Sequence, residues 1–334
     1  MKTKSRVKKR ILTFIVAVIL LILSFFASLT LGQTNISIST TLHAILHFDP
    51  NNTEHIIVVT SRLTRTLIAC VIGASLAIAG AMMQALTRNP LASPSIFGIN
   101  AGAIFFIVVG ITFFSMESLT QYMWIAFLGA GVAAICVYVL GSSGSQGVSP
   151  LKIVLSGAAI SALFMSFTQG LLVIDEQRIQ TVLFWMTGSV AGRSMDMLLP
   201  VLPFIASGIV IALLMGHSIN ILLSGEDVAK GLGQQTIWIK IGIAIVVVFL
   251  AGGSVAIGGS IGFLGLIVPH MVRGMVGPDY RLVLPLCGIT GACLLLLADV
   301  AARLIIMPQE VPIGVMTAFI GTPFFIYIAR RRLS

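Results

Sequence analysis

Long apolar runs, almost free of charge, recur from one end of this 334-residue chain to the other. Only 9% of residues are charged against 57% hydrophobic, where soluble domains carry roughly a quarter charged. Such a chain cannot clothe itself in a water-facing surface. A bilayer core about 30 Å thick needs about 20 apolar residues per helix. The backbone in lipid must satisfy its own hydrogen bonds, which leaves helices or a closed barrel. The runs are continuous in Leu, Ile, Val, Ala and Gly with no two-residue alternation, which argues against a barrel. The reading is an all-α polytopic membrane protein with about ten spans, near 12–31, 64–85, 94–112, 122–141, 151–172, 197–215, 236–257, 261–275, 283–303 and 312–329.

The formal charge of +9 is an orientation signal and not a nucleic-acid footprint. With the N-terminus in the cytoplasm, 15 Lys and Arg fall inside and 5 outside, while 8 acidic residues fall outside and 3 inside. That asymmetry predicts that both termini are cytoplasmic. The basic start followed by residues 12–31 has the flavour of a signal peptide, yet its apolar run of about 20 exceeds the usual 7–15. It reads as a retained first span. Cys70, Cys136, Cys287 and Cys293 all lie in apolar runs and read as small packing residues. No stretch outside the spans is long enough for a separate soluble domain, so residues 1–334 read as one transmembrane domain.

Gly73–Gly80 (GASLAIAG) echoes Gly252–Gly259 (GGSVAIGG) at an offset of 179, and Pro90 meets Pro269 at the same offset. Glycine- and alanine-rich echoes also arise from close helix packing. The two copies would enter the membrane from opposite sides, so an inverted repeat is the alternative to coincidence. Among buried charges, Asp299 and Arg303 stand four apart near an outer helix end, which suits an ion pair. His270 follows Pro269 with no histidine, cysteine or carboxylate at ligand spacing, and reads as a packing residue with no metal site.

No constellation for catalysis is present, and no phosphate-binding Gly-x-x-x-x-Gly-Lys-Ser/Thr occurs anywhere. If ATP drives this protein, another subunit hydrolyses it. The segment 220–233, NILLSGEDVAKGLG, predicts a short cytoplasmic helix: Ser224 and Gly225 as start signals, Glu226 and Asp227 in the first turn, Gly231 and Gly233 as the stop. An ordinary connector and a docking surface for a cytoplasmic motor fit this equally.

Blocks at 73–103, 184–192 (FWMTGSVAG), 220–233, 258–281 (GGSIGFLGLIVPHMVRGMVGPDYR) and 296–328 occur in an order that resembles the FecCD family of ABC importer permeases, which includes vitamin B12 and ferric-siderophore permeases. The resemblance implies a type II ABC importer permease fold in the bacterial cytoplasmic membrane. Its partners would be a second permease chain, identical or related, two cytoplasmic ATPases and an extracytoplasmic siderophore-binding protein. ATP and Mg would be bound by the ATPases, leaving this chain without a cofactor or enzymatic activity. Coupling helices of the family match 220–233, assigning Ser224, Gly225, Glu226, Asp227, Ala229, Lys230 and Leu232 to the ATPase contact. Family arginines that grip the binding protein match Arg62, Arg65 and Arg303, suited to carboxylates by their forked donors. Thr64 departs from the proline that many relatives carry between the first two. The cytoplasmic gate matches Asn89, Pro90, Leu91, Ser149 and Pro150. The blocks point to iron-siderophore cargo, with cobalamin or haem as alternatives. A secondary transporter without an ATPase is the competitor from another class, and it would need ion-coupling groups in mid-span.

Overall fold

The computed structural model describes residues 2–34, 36–114, 116–143, 150–174 and 179–333. Thirteen helices and no strand are present among them. They are α1 (Lys2–Thr30), α2 (Ile38–Leu46), α3 (Thr53–Thr87), α4 (Ile99–Phe114), α5 (Leu119–Ser142), α6 (Pro150–Ile174) and α7 (Ile179–Thr187). The rest are α8 (Met195–Leu223), α9 (Glu226–Gly231), α10 (Thr236–Gly258), α11 (Leu264–Val276), α12 (Tyr280–Leu304) and α13 (Ile313–Leu333). Seven are long and apolar enough to cross a bilayer: α1, α3, α5, α6, α8, α10 and α12. The apolar α4, α11 and α13 are shorter and occupy the other three expected spans.

Several boundaries differ from the sequence reading, each for a local reason. Helix α1 starts ten residues before its apolar run, because Lys and Arg are good helix formers and the basic tail continues the turn. The third span starts at Ile99 and not 94, because Pro94 opens a 3-10 turn (Pro94–Phe97) that Gly98 closes at φ 67°. Helix α11 has 13 residues, about 20 Å at 1.5 Å per residue, and alone is too short for the hydrocarbon core.

Helix α3 is the centre of the bundle, packing along α12 and crossing α11. Its composition explains why. A side-chain carbon at Gly73 would meet the Gly291 carbonyl oxygen of α12 at 2.5 Å, and Gly80 lies directly on the Gly265 backbone of α11. Glycine lets the backbones touch where no hydrophobic effect drives helices together. The second copy of the echo is built differently. Gly80 is inside a helix, whereas Gly259 ends α10 at φ 72° and faces the Trp185 carbonyl oxygen. That turn interlocks with the segment between α7 and α8: Ser189 N–H donates to Gly258 O (2.8 Å) and Ser260 N–H to Trp185 O (2.9 Å). Two of the sequence blocks thus meet as one backbone knot.

Thr64 also has a structural consequence. Residues Ile57–Leu63 form a π-helical stretch, and the Thr64 N–H closes it on Ser61 O. A proline at 64 has no such donor. Three cysteines are partly buried and Cys287 is fully buried, and all four are free. His270 stacks edge-on against Phe324, ring centres 6.1 Å apart.

Candidate functional site: two charged clusters at opposite ends of the bundle

The inner cluster is built where α3, α6, α8, α9 and α10 end or begin. Helix α9 spans Glu226–Gly231, and Gly225 at φ 126° makes the turn into it, a conformation natural only to glycine. Ser224 is not its cap. The Ser224 hydroxyl bonds back to Asn220 O (3.2 Å) and the residue closes α8, since the same small polar residue serves either terminus. Leu232 and Gly233, the latter at φ 79°, end α9. Ala229 packs inward, while Val228 and Leu232 are 52% and 68% exposed. Asp227, Lys230 and Ser224 are exposed beside them.

Glu226 is the hub. It accepts from Lys240 Nζ at 3.0 Å and lies 3.6 Å from Lys230 Nζ. The Lys240 hydrogen bond, above all, holds its carboxyl below the usual carboxylate range. Sequence reasoning missed Lys240, although a lone lysine opening an apolar run is itself a signal that a partner is needed. A cavity of about 70 Å³ opens beside this pair, lined by Leu86 and Arg88 of the α3 end, Ile153 of α6, Leu222, Glu226 and Lys240. Arg88 takes the left-handed conformation (φ 49°) and donates through Nη2 to Leu222 O at 3.0 Å. The loop Asn89–Pro90–Leu91 follows at once, tied by Leu91 N–H to Asn89 Oδ1 (3.0 Å). Pro150 is the first residue of α6, and Ile153 one turn on lines the same cavity as Arg88. Ser149 lies outside the described residues.

At the outer end Arg62, Arg65 and Arg303 come together, but they face inward. Arg62 is buried and donates to Leu29 O (2.9 Å), Thr30 O (2.7 Å), Thr34 O and Thr34 Oγ1 (2.8 Å). Arg303 is buried and grips Asp299, Ser28 O (3.0 Å) and Ser28 Oγ (2.9 Å). Arg65 bridges two carboxylates: Asp299 through Nε (3.0 Å) and Nη2 (2.8 Å), and Glu310 through Nη1 (2.8 Å). The Asp299–Arg303 pair read from spacing is therefore real, and it is one edge of a larger lattice. Glu310 was missed, since nothing local marks an acid 245 residues from its arginine. A cleft of about 170 Å³ reaches this lattice between Gln33, Thr34, Ser61 and Glu310.

Between the two clusters a third feature lies along α4 and α6. It is a cavity of about 440 Å³ whose polar lining is Ser95, Asn100, Ser161, Thr168, Gln169 and Ser260, with no charged side chain. Asn100 donates to Ser260 Oγ at 2.9 Å, joining the wall to the backbone knot described above.

Comparison with protein families matches residues 20–331 to the FecCD transport family. Among curated proteins, the chain is 53% identical over 314 residues to "Probable siderophore transport system permease protein YfiZ" of Bacillus subtilis strain 168, covering 94% of each chain. It is 44% identical to the Fe(3+)-citrate import system permease protein YfmD of the same organism, over 98% of this chain and 97% of the other. Among solved structures, a metal-chelate type ABC transporter in an inward-facing conformation superposes with a TM-score of 0.84 at 29% identity, over 96% of this chain and 99% of that one. Sequence blocks, helical bundle and relatives agree: this chain is a multi-pass membrane protein of the FecCD transport family.

Proposed function

We propose that this chain is the membrane-spanning permease of an ATP-driven importer of ferric siderophores. The observation that carries the mechanism is α9. This helix projects Val228 and Leu232 into water at the cytoplasmic end while Glu226 roots it to α10. Exposed apolar side chains on a short charged helix suit a groove in a cytoplasmic ATPase. The iron-chelate cargo rests on the relatives named above, and the uncharged amide- and hydroxyl-lined cavity beside α6 suits a passage wall that binds its cargo weakly. The complete importer would pair this permease with a second, identical or related one, and with two ATPases that bind ATP and Mg. An extracytoplasmic binding protein would deliver the chelate.

At the outer face the binding protein's carboxylates would approach through the cleft beside Arg65 and Glu310. Arg62 and Arg303 are sequestered by backbone carbonyls and Asp299, so Arg65 is the cation such a carboxylate meets first. An ATPase-independent transporter fits less well. Among the described residues Asp299 is the one fully buried carboxylate, and two arginines already neutralise it.

Uptake of radiolabelled ferric siderophores in cells lacking this chain tests the proposal, with cobalamin and haem run in parallel. Loss of ferric-siderophore uptake alone supports it. Loss of cobalamin or haem uptake would correct the cargo, and unchanged uptake of all three in a strain with no second permease system would refute it.

A further inference from the structure

We propose that Arg88 is the positioning residue that transmits movement of α9 to the loop Asn89–Leu91; this rests on reading α9 as the ATPase-docking element. The inference starts from a conformational oddity. Arg88 and Phe263 are the only non-glycine residues with positive φ among those described. An L residue enters the left-handed region at a cost, so something must hold it there. The α3 helix ends at this residue: its N–H closes on Ala85 O, and Pro90 two residues on cannot extend the helix. A glycine would serve that turn better. An arginine is there instead, and its guanidinium crosses to α8, donating to Leu222 O at 3.0 Å.

That acceptor is well chosen for signal transfer. Leu222 is buried in the last turn of α8, where its carbonyl accepts from Gly225 N–H at 3.4 Å as well as from Arg88, and the helix dipole favours a cation. Three residues later Gly225 turns the chain into α9. Glu226, the first residue of α9, is locked to Lys240. Any displacement of α9 therefore moves two things, the start of α10 through Glu226 and the Leu222 carbonyl through the chain. Arg88 is the hydrogen-bonded route from that carbonyl to the gate loop. The loop is stiff enough to respond, with φ fixed at Pro90 and Leu91 N–H held by the Asn89 side chain. Behind it α3 is immobilised by its backbone contacts with α11 and α12, so the compliant point is the helix end. The 70 Å³ cavity between Arg88, Ile153 and Glu226 supplies room for the guanidinium to travel.

The test uses the assembled importer with both ATPases and its binding protein in proteoliposomes, reading ATP hydrolysis and chelate uptake in the same preparation. Arg88→Ala and Arg88→Gly should assemble, hydrolyse ATP within about twofold of the parent, and import at least tenfold less chelate per ATP. Arg88→Lys, which keeps a single donor, should recover part of the loss. The glycine variant separates strut from strain, because it relieves the left-handed backbone while removing the side chain. Parental uptake per ATP in the glycine and alanine variants would overturn the proposal. So would loss of ATPase association in both, since Arg88 would then belong to the docking surface itself. Glu226→Arg is run alongside: if it leaves ATPase association intact, the α9 reading fails, whereas its loss beside normal Arg88 variants sinks the strut alone.

Discussion

Neutralising Asp299 is the sharpest test of how the outer end of the bundle is held. Asp299 has no solvent exposure and accepts from both guanidinium groups, Arg65 at 3.0 and 2.8 Å and Arg303 at 3.0 Å through Nε. In Asp299→Asn one of those oxygens becomes an amide that points donors at donors. Arg65 and Arg303 would then have Glu310 as their single nearby carboxylate. Removing one partner of a buried ion pair costs about 3–5 kcal/mol, mostly because the other charge stays buried. Two features pull the figure to the low end of that range. Arg65 keeps Glu310 at 2.8 Å, and Arg303 keeps Ser28 O and Ser28 Oγ. We expect a loss of about 3 kcal/mol, read as the shift in reversible unfolding of the purified chain in mixed micelles. Replacing the pair together, Asp299→Leu with Arg303→Met, should cost less than the single change, because no orphaned charge remains from that edge. A single-variant loss under about 1 kcal/mol, or a double variant worse than the single, would refute the reasoning.

Three further outcomes follow from the same contacts. Glu310→Gln frees one edge of the Arg65 guanidinium for an incoming carboxylate, so binding-protein affinity should rise about fivefold, equivalent to ~1 kcal/mol for a partly exposed pair; titration by surface plasmon resonance reads it, and weakened docking would mean Glu310 itself contacts the partner. Gly80→Ala pushes a methyl into the Gly265 backbone and should cost about 1–3 kcal/mol by prying α3 from α11, with Gly131→Ala, whose added carbon meets open space, as the silent control in a thermal-shift series. Asp279, at the start of α12, is held down to about 2 by its hydrogen bond from Arg281, with help from Asn220. A depressed carboxyl stabilises the fold fully above its unfolded value of about 4 and loses that contribution as pH falls towards 2. The melting-temperature gap between parent and Asp279→Asn should therefore be constant from pH 7 to 5 and shrink in more acid buffer; a gap that widens there would contradict the assignment.

The spans were legible because an apolar run in lipid must satisfy its backbone within itself, and here it does so as helix. Distances were not. Spacing within one helix revealed Asp299 with Arg303, but Arg65 meets Glu310 across 245 residues of chain, and no local signal encodes that. Ser224 illustrates a different limit. A serine before glycine and two acids carries the same local chemistry whether it closes one helix or opens the next, and only the path of the chain shows that it closes α8. The left-handed Arg88 was equally hidden, since arginine has no preference for that region and the reason for it lies on another helix. The sequence blocks did not show that Arg88, Ile153 and Glu226, from three separate segments, line one small cavity.

Helix α3 gives these separate observations a common mechanical sense. Its outer end is fastened to the α1 carboxy terminus by Arg62 and to α12 by Arg65. Its middle touches Gly291 and Gly265 backbone to backbone. Its inner half is bound again: Gln84 Nε2 donates to Gly265 O at 3.3 Å and Tyr280 Oη to Ala81 O at 3.3 Å. Close-packed interiors deform by moving whole bodies, because stretching such contacts one at a time forfeits packing along the entire seam. Helices α3, α11 and α12 are thus tied to one another, with α1 packed along α12, whereas α6 packs chiefly on α4 and α5. The uncharged cavity lies outside this group, between α4 and α6 with Met186 and Ser260 closing it, and Arg88 and Ile153 line the smaller cavity near the start of α6. If cargo moves along the wall of the uncharged cavity, as proposed, the wall adds no charge of its own, and the charged clusters stand at the two ends of the bundle.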